Sequence, residues 1–230
     1  MVLVEGMRVA LVAFLVLLMA GCARGPGHVP PPGAMEVARV RVFTDGFHSG
    51  LVLPRVSVPR DLDPAVEGWP QTFRGRSFHY GEAAWTSGEN MSDFHAVRLA
   101  FVPGVGVIQT DATPLDLPDI PGTDRGHLRV WTFALDTASL EALLQRLRQE
   151  WLVPGAVPRL AFPGDPSHLI ACPNDWSVWH NCHDFTADLL RAAGLDLPSH
   201  TIATAGVLAS DLDLAQAALD RAGVQVLTPR

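Results

Sequence analysis

Cys182 lies where a reactive cysteine is commonly placed, in the first turn of a predicted helix. The residues of its helical face recur at three- and four-residue spacing: Cys182, Phe185, Thr186, Leu189 and Ala193. Asn181 is a favourable N-cap, Asp184 completes a capping-box-like pair, and Gly194 marks the helix end. The helix dipole and the unpaired N–H groups of a first turn favour the thiolate, which is the nucleophilic form of cysteine. The pattern therefore indicates nucleophilic catalysis, with a backbone N–H at the helix start available to bind an oxyanion.

Three other interpretations of this cysteine remain open. It can be an inert packing residue, or it can form a disulfide with Cys172 in an oxidising compartment. A zinc site built from His180, Cys182, His183 and Cys172 is disfavoured, because the chain lacks the usual paired ligand spacings. Neighbouring helix positions lie about 100° apart, so we expect His183 to point away from Cys182. We predict no metal and no cofactor, and expect His183 and Asp184 to be solvated or capping residues.

A catalytic cysteine needs a base to accept its proton and a third group to orient that base. Among nine histidines, His48 is the best candidate base, because it begins a predicted strand between Gly46 and Gly50, where substrate can approach the backbone closely. A turn or core histidine is the structural alternative. His79 and Glu82, at the end of the next predicted strand, are candidates for the orienting group, and surface polarity explains them equally well.

The elements around these residues predict an α+β fold in a single domain over residues 36–230. Alternation over 36–44, a turn at Asp45-Gly46 and a strand from Phe47 to Leu53 closed by Pro54 predict a hairpin. Further strands are predicted at 76–81, 105–110 and 126–134, and helices at 94–102, 137–151, 202–211 and 214–222. The longest of these helices begins at Asp136 as its N-cap. The proline-containing stretch 153–178 is predicted to be a loop.

The N-terminal residues predict export and a lipid anchor. Arg8 precedes an apolar run, Val9–Met19, which is short for a membrane span and has the length of a signal-peptide core. It ends in Leu18-Met19-Ala20-Gly21-Cys22, which resembles the bacterial lipobox, and this implies removal of 1–21 and lipidation of Cys22. Residues 22–35 then form a Gly/Pro-rich tether. Ala23 rather than Asp after the cysteine favours the periplasmic face of the outer membrane, by resemblance to sorting patterns.

The net charge of −7 and the absence of any basic run exclude nucleic acid as an expected partner, although the chain has 17 basic residues, all of them Arg. The expected partner is the membrane, through Cys22.

Three stretches resemble a bacterial envelope-protein family of unknown function, first found beside urease gene clusters. They are Phe47-His48-Ser49-Gly50-Leu51-Val52-Leu53-Pro54, Tyr80-Gly81-Glu82 and His180-Asn181-Cys182-His183-Asp184-Phe185-Thr186-Ala187. The family pattern is Trp-His-Thr-Gly-Leu-Val-Leu-Pro, Gly-Trp-Gly-Asp and Asn-Cys-Asn-Thr-Trp-Thr-Ala, followed by Ala-Gly-Leu, which is matched at 193–195. The middle motif departs from this pattern, since Gly81-Glu82 replaces the fuller element.

A histidine strand before a cysteine helix also resembles the circularly permuted papain-like hydrolases, including NlpC-like peptidases and the lecithin:retinol acyltransferase family. The resemblance implies a small antiparallel sheet packed against helices, with Cys182 as nucleophile and His48 as base. The third residue would be Glu82 or His79, with Glu82 preferred. The implied activity is that of an envelope amidase, peptidase or acyl hydrolase or transferase, with peptidoglycan peptides or acyl lipids as substrates. The alternative is a non-catalytic envelope lipoprotein, a binding or scaffold module with a Cys172–Cys182 disulfide.

Overall fold

The computed structural model describes residues 36–62, 73–113, 127–161, 167–198, 202 and 204–221. These residues form a single α+β domain. The predicted signal peptide and tether, including Cys22, lie outside the described residues. Within the described ranges, no helix has both the length and the apolar character that a membrane span requires.

Within these ranges, seven antiparallel strands form one sheet in the order β5-β1-β2-β3-β4-β7-β6. The strands are β1 (Ala38–Thr44), β2 (Ser49–Pro54), β3 (Gly75–Glu82), β4 (Gly104–Thr113), β5 (Arg129–Leu135), β6 (Arg159–Leu160) and β7 (His168–Trp176). Side chains alternate between the two faces of a sheet. One face therefore carries fully buried residues such as Val42, Leu51 and Phe78 into the main core.

Among the described residues, five α-helices accompany the sheet: α1 (Ala83–Thr86), α2 (Asp93–Leu99), α3 (Thr137–Arg146), α4 (Cys182–Ala192) and α5 (Ala205–Arg221). A π-helical turn, Leu147–Trp151, continues α3. α4 lies against β2, β3 and α3, and its apolar residues join the main core. Asp136 caps α3 as predicted, because its carboxylate accepts the N–H of Ser139 at 2.8 Å.

The loop predicted over 153–178 is wrong, because β6 and β7 occupy much of that stretch. Pro173 breaks the sequence pattern of a strand, but it lies where the register between β4 and β7 shifts, between the pairs Val107–Ala171 and Val105–Asp175. At such an irregularity a missing proline N–H costs no ladder bond. The prediction of two separate C-terminal helices is also wrong, since α5 runs without a break from Ala205 to Arg221.

The strand termini at one end of the sheet surround the start of α4. Because all pairs are antiparallel, the same end holds the following residues: Thr44, Ser49, Glu82, Gly104 and Trp176. We call this the thiol end, since Cys182 begins α4 there. α1 and α2 join β3 to β4 at the thiol end, while Pro54 and Gly75 lie at the opposite end.

Candidate functional site

Asn181 positions Cys182 at the start of α4. Its Oδ1 accepts the backbone N–H groups of His183 (2.8 Å) and Asp184 (3.4 Å), which confirms the predicted N-cap. The predicted capping-box pair is wrong at Asp184. Its Oδ1 accepts the N–H of Ile202 at 2.7 Å rather than that of Asn181. The cap therefore serves the second and third residues of the helix.

The Cys182 thiol is buried and protonated. Its Sγ lies 3.9 Å from the Phe47 carbonyl oxygen, to which it donates, and 3.8 Å from His183 Nδ1. The pKa of the thiol is raised to about 11, chiefly by burial and in smaller part by the Asp45 carboxylate, against the opposing effect of hydrogen bonds from Ser49. The expectation of a stabilised thiolate is wrong for this structure, because desolvation outweighs the helix terminus.

A polar network ties the cysteine backbone to β2. Ser49 Oγ donates to the Cys182 carbonyl at 3.0 Å and lies 3.0 Å from both Thr186 Oγ1 and His183 Nδ1. Thr186 Oγ1 donates to the same carbonyl at 2.8 Å. All four residues are buried. The network fixes the first turn of α4 against the start of β2.

His183 is not solvated as the sequence predicts. It is 5% exposed, because the first turn of α4 is buried on every side, and its ring nitrogen faces Ser49 and Cys182. Its pKa is lowered to about 4, chiefly by burial and in smaller part by the nearby His48, against the opposing effect of Asp45. His183 is therefore a neutral ring in the wall of the site. Asp184, also predicted to be solvated or capping, is buried as well.

Asp45 organises the turn that carries His48. Its buried carboxylate accepts the N–H of Phe47 through Oδ1 at 3.0 Å and that of His48 at 2.6 Å. The other oxygen, Oδ2, lies 3.6 Å from His48 Nδ1. Gly46 takes φ +94°, a left-handed conformation that glycine adopts without strain. The turn thus places the Phe47 carbonyl in contact with the Cys182 thiol and the His48 imidazole beside the thiol pocket.

The His48 ring is 57% exposed, and its charge partner is Asp45. Within the described part of the chain, the groups that contact Cys182 Sγ belong to Phe47, His183 and Ser49. The structure therefore places His48 beside the thiol pocket, and its imidazole makes no hydrogen bond with Sγ.

His79 lies on the other face of the sheet from Cys182. It pairs with Gly50 on β2, and since Ser49 faces α4, both Gly50 and His79 face away from it. Its Nε2 is 3.4 Å from Asp111 Oδ2 without a hydrogen bond. Burial lowers the pKa of His79 more than Asp111 raises it. The structure gives His79 partners other than the candidate base.

Glu82 is engaged in a structural pair. Its Oε2 lies 3.0 Å from His95 Nε2 and accepts the N–H of Trp85 at 2.8 Å, which caps α1. Burial raises the pKa of the carboxyl, but the bonds from His95, Trp85 and Ala84 outweigh it and leave the pKa lowered. These contacts hold Glu82 between β3 and α2, and none of them involves His48 or Cys182.

Cys172 and Cys182 are both free thiols in the structure. The Cys172 sulfur accepts the N–H of Asn174 at 3.4 Å, and burial raises its pKa. The described residues thus hold the two sulfurs in different contacts, one on β7 and one at the start of α4.

His180 belongs to an aromatic cluster. Its ring stacks on Trp151 at 5.1 Å with an interplanar angle of 10°, and Tyr80 and Phe185 complete the cluster. No group of three or more His, Cys, Asp or Glu side chains in the described ranges is arranged to hold a metal ion.

Sequence reasoning missed Asp45, Ser49 and His183 as parts of the site. A signal for Asp45 exists, because an Asp three residues before a turn histidine can bind the backbone and orient the ring. Ser49 and His183 carry no distinct signal beyond being adjacent to His48 and Cys182. Comparisons of the chain with protein-family models, with curated proteins and with solved structures find no match.

Proposed function

We propose that this protein is a cysteine-nucleophile hydrolase or acyltransferase of the circularly permuted papain-like type, acting at the bacterial envelope. The observation that carries the proposal is the contact between the Cys182 thiol and the turn that holds Asp45 and His48. Support also comes from the order of elements, in which the histidine hairpin precedes the cysteine helix and both meet at one end of an antiparallel sheet.

In the proposed reaction, Cys182 attacks the carbonyl carbon of an ester or amide. His48 accepts the thiol proton as the sulfur–carbon bond forms, and the N–H of Cys182 binds the oxyanion. The carbon–oxygen or carbon–nitrogen bond then breaks, and His48 returns the proton to the leaving group. Water, or another nucleophile in a transferase, attacks the resulting thioester and restores the thiol.

The proposal requires the exposed His48 ring to rotate towards the thiol, and the contact that holds the ring is at one nitrogen, 3.6 Å from Asp45. We assign Asp45, rather than Glu82 or His79, as the orienting group. A thiol with a pKa of about 11 reacts slowly by itself at neutral pH, so a base beside it is a requirement of this proposal.

The test is acyl transfer from p-nitrophenyl acetate, with Cys182→Ser compared with Cys172→Ser. Both variants remove one buried thiol, so they are matched in packing. We expect an acetyl group on the peptide carrying Cys182, and loss of turnover in Cys182→Ser alone. Turnover that survives Cys182→Ser, or that both variants lose equally, would refute the proposal.

The second candidate is a non-catalytic envelope lipoprotein that binds a partner. The burial of Cys182 and its raised pKa favour this candidate, since both are ordinary for a packing cysteine. It predicts no acyl adduct and iodoacetamide labelling that begins only at strongly alkaline pH, equally in wild type and His48→Ala.

In both candidates we propose that Cys22 carries the lipid anchor. Incorporation of labelled palmitate in wild type, and its loss in Cys22→Ser, tests this assignment. Localisation to the periplasmic face of the outer membrane is then tested by fractionation of the labelled protein.

A further inference from the structure

The outward face of α2 is apolar. His95 and Leu99, four residues apart, are the buried side of this helix. Phe94 and Val97, on the opposite side, are 80% and 60% exposed, and Phe101, two residues beyond the end of the helix, is 82% exposed. A surface helix ordinarily presents polar residues to water, whereas this exposed face presents apolar ones.

Further exposed apolar side chains surround the same end of the sheet. They are Phe47 (80%), Met91, Val102, Val105 and Trp179 (70%). Their positions follow from the topology, since α2 leads into β4 and Trp179 lies just before α4. Phe47 also provides the carbonyl that contacts Cys182, so this apolar surface borders the thiol.

We infer that the thiol end is a membrane-docking surface whose occupant is the interfacial and acyl region of a phospholipid bilayer. Single exposed apolar residues are ordinary, but a continuous group marks an interaction site. Phe and Trp are the side chains that enter the membrane interface. Side chains that protrude this far need a matching pocket for each in a protein partner, whereas lipid chains adapt to any shape.

The predicted lipid anchor agrees with this orientation. β1 begins at Ala38, at the end of the sheet away from Cys182. The segment between Cys22 and Ala38 reaches about 50 Å when extended, and β1 spans about 23 Å. The tether is therefore long enough for the thiol end to face the bilayer that holds the anchor.

Charge indicates apolar insertion rather than attraction to lipid headgroups. The chain has no Lys and a net charge of −7, so it lacks the basic cluster that recognises anionic lipid. Docking by burial of Phe and Trp is accordingly expected to be insensitive to salt. The inference does not depend on catalysis by Cys182.

The test uses the full lipidated chain on phosphatidylcholine vesicles with brominated acyl chains, which quench tryptophan fluorescence at close range. One variant replaces Phe94, Val97 and Phe101 by Ser. The matched control replaces three exposed apolar residues of the opposite end by Ser: Val37, Val56 and Leu160. Both variants keep the anchor, so both stay on the vesicle. Trp179→Phe identifies the quenched residue and, at an exposed position, leaves the fold intact.

We expect quenching in wild type and in the opposite-end control, unchanged by 1 M NaCl. The α2 variant should lose at least half of it, and Trp179→Phe should remove the larger part. Three results would overturn the inference: no quenching in wild type, equal quenching in both Ser variants, or quenching that Trp179→Phe leaves unchanged. A concentration-dependent dimer abolished by the α2 variant, without quenching, would assign this surface to a second copy of the chain instead.

Discussion

Two histidine–carboxylate pairs at the thiol end have similar chemistry and different environments. In the Glu82–His95 pair both side chains are buried and the two atoms lie 3.0 Å apart. In the Asp45–His48 pair the carboxylate is buried, but the ring is 57% exposed and the separation is 3.6 Å. A fully buried pair is fixed by its surroundings, whereas a ring held on one side can move between positions. The comparison teaches that the same residue types can form an enclosed pair or a pair open to solvent. In the proposed function, the open pair carries the proton and the enclosed pair supports the fold.

The largest expected effect concerns the exposed pair. His48→Ala should lower the Cys182-dependent rate of p-nitrophenyl acetate hydrolysis by about 10²- to 10⁴-fold, because general-base assistance is lost. His168→Ala, at the opposite end of the sheet, is the control and should retain the wild-type rate. Initial rates at pH 7 measure the difference. A loss below about threefold in His48→Ala would show that the exposed ring carries no proton in the reaction.

The buried pair should determine stability instead. Glu82→Ala leaves His95 buried without its carboxylate and removes the cap of α1, so the free energy of unfolding should fall by about 3–5 kcal/mol. His48→Ala should change it by less than about 0.5 kcal/mol, as expected for an exposed side chain. Urea unfolding compares the two. Equal losses in both variants would remove the distinction between the pairs.

The next effect extends the comparison to the buried His183. Its pKa of about 4 lies below the ordinary 6.5, so the unfolded chain binds the proton more readily than the folded chain. The stabilising contribution of the neutral ring is complete above pH 6.5 and is lost as pH falls towards 4, by up to about 3 kcal/mol. Unfolding measured across this range should show the loss. His183→Asn, which keeps a polar atom near Ser49 and does not titrate, should reduce the slope; an unchanged slope would assign the effect to other groups.

The smallest expected effect concerns the cap that positions Cys182. Asn181→Ala removes the acceptor for two N–H groups of α4 and should destabilise the protein by about 1 kcal/mol. Asn181→Asp keeps the acceptor and should restore most of the stability. Thermal unfolding of the two variants checks the ranking, and a more stable Ala variant would contradict the capping role.

Local patterns predicted the elements around the site. The β1–β2 hairpin, the Asn181 cap and the Asp136 cap each depend on residues a few positions apart, and the structure confirms them. β7 was missed because the tolerance for Pro173 depends on the register shift between β7 and β4, which no local pattern records.

The sequence did not reveal how deeply the side chains of His183 and Cys182 are buried. Helical spacing placed His183 away from Cys182, but the whole first turn of α4 is enclosed, so both side chains are buried. The same enclosure reverses the expected shift of the thiol pKa. The partner of Glu82 is His95 on α2, and the partner of His79 is Asp111 on β4. Spacing along the chain predicts neither of these contacts. The catalytic roles of Cys182, His48, Glu82 and His79 stay predictions.

The bond between Ser49 and the Cys182 carbonyl joins residues 133 positions apart in the chain. Contacts of such large sequence separation require closure of a long loop and slow the folding of a domain. The first strands and α4 are therefore expected to pack together late in folding, after most of the chain has been synthesised. During refolding, Cys182 should stay open to alkylating reagents longer than the β1–β2 hairpin stays open to hydrogen exchange. Protection of the Cys182 thiol therefore reports a late folding step, the docking of α4 against the start of β2.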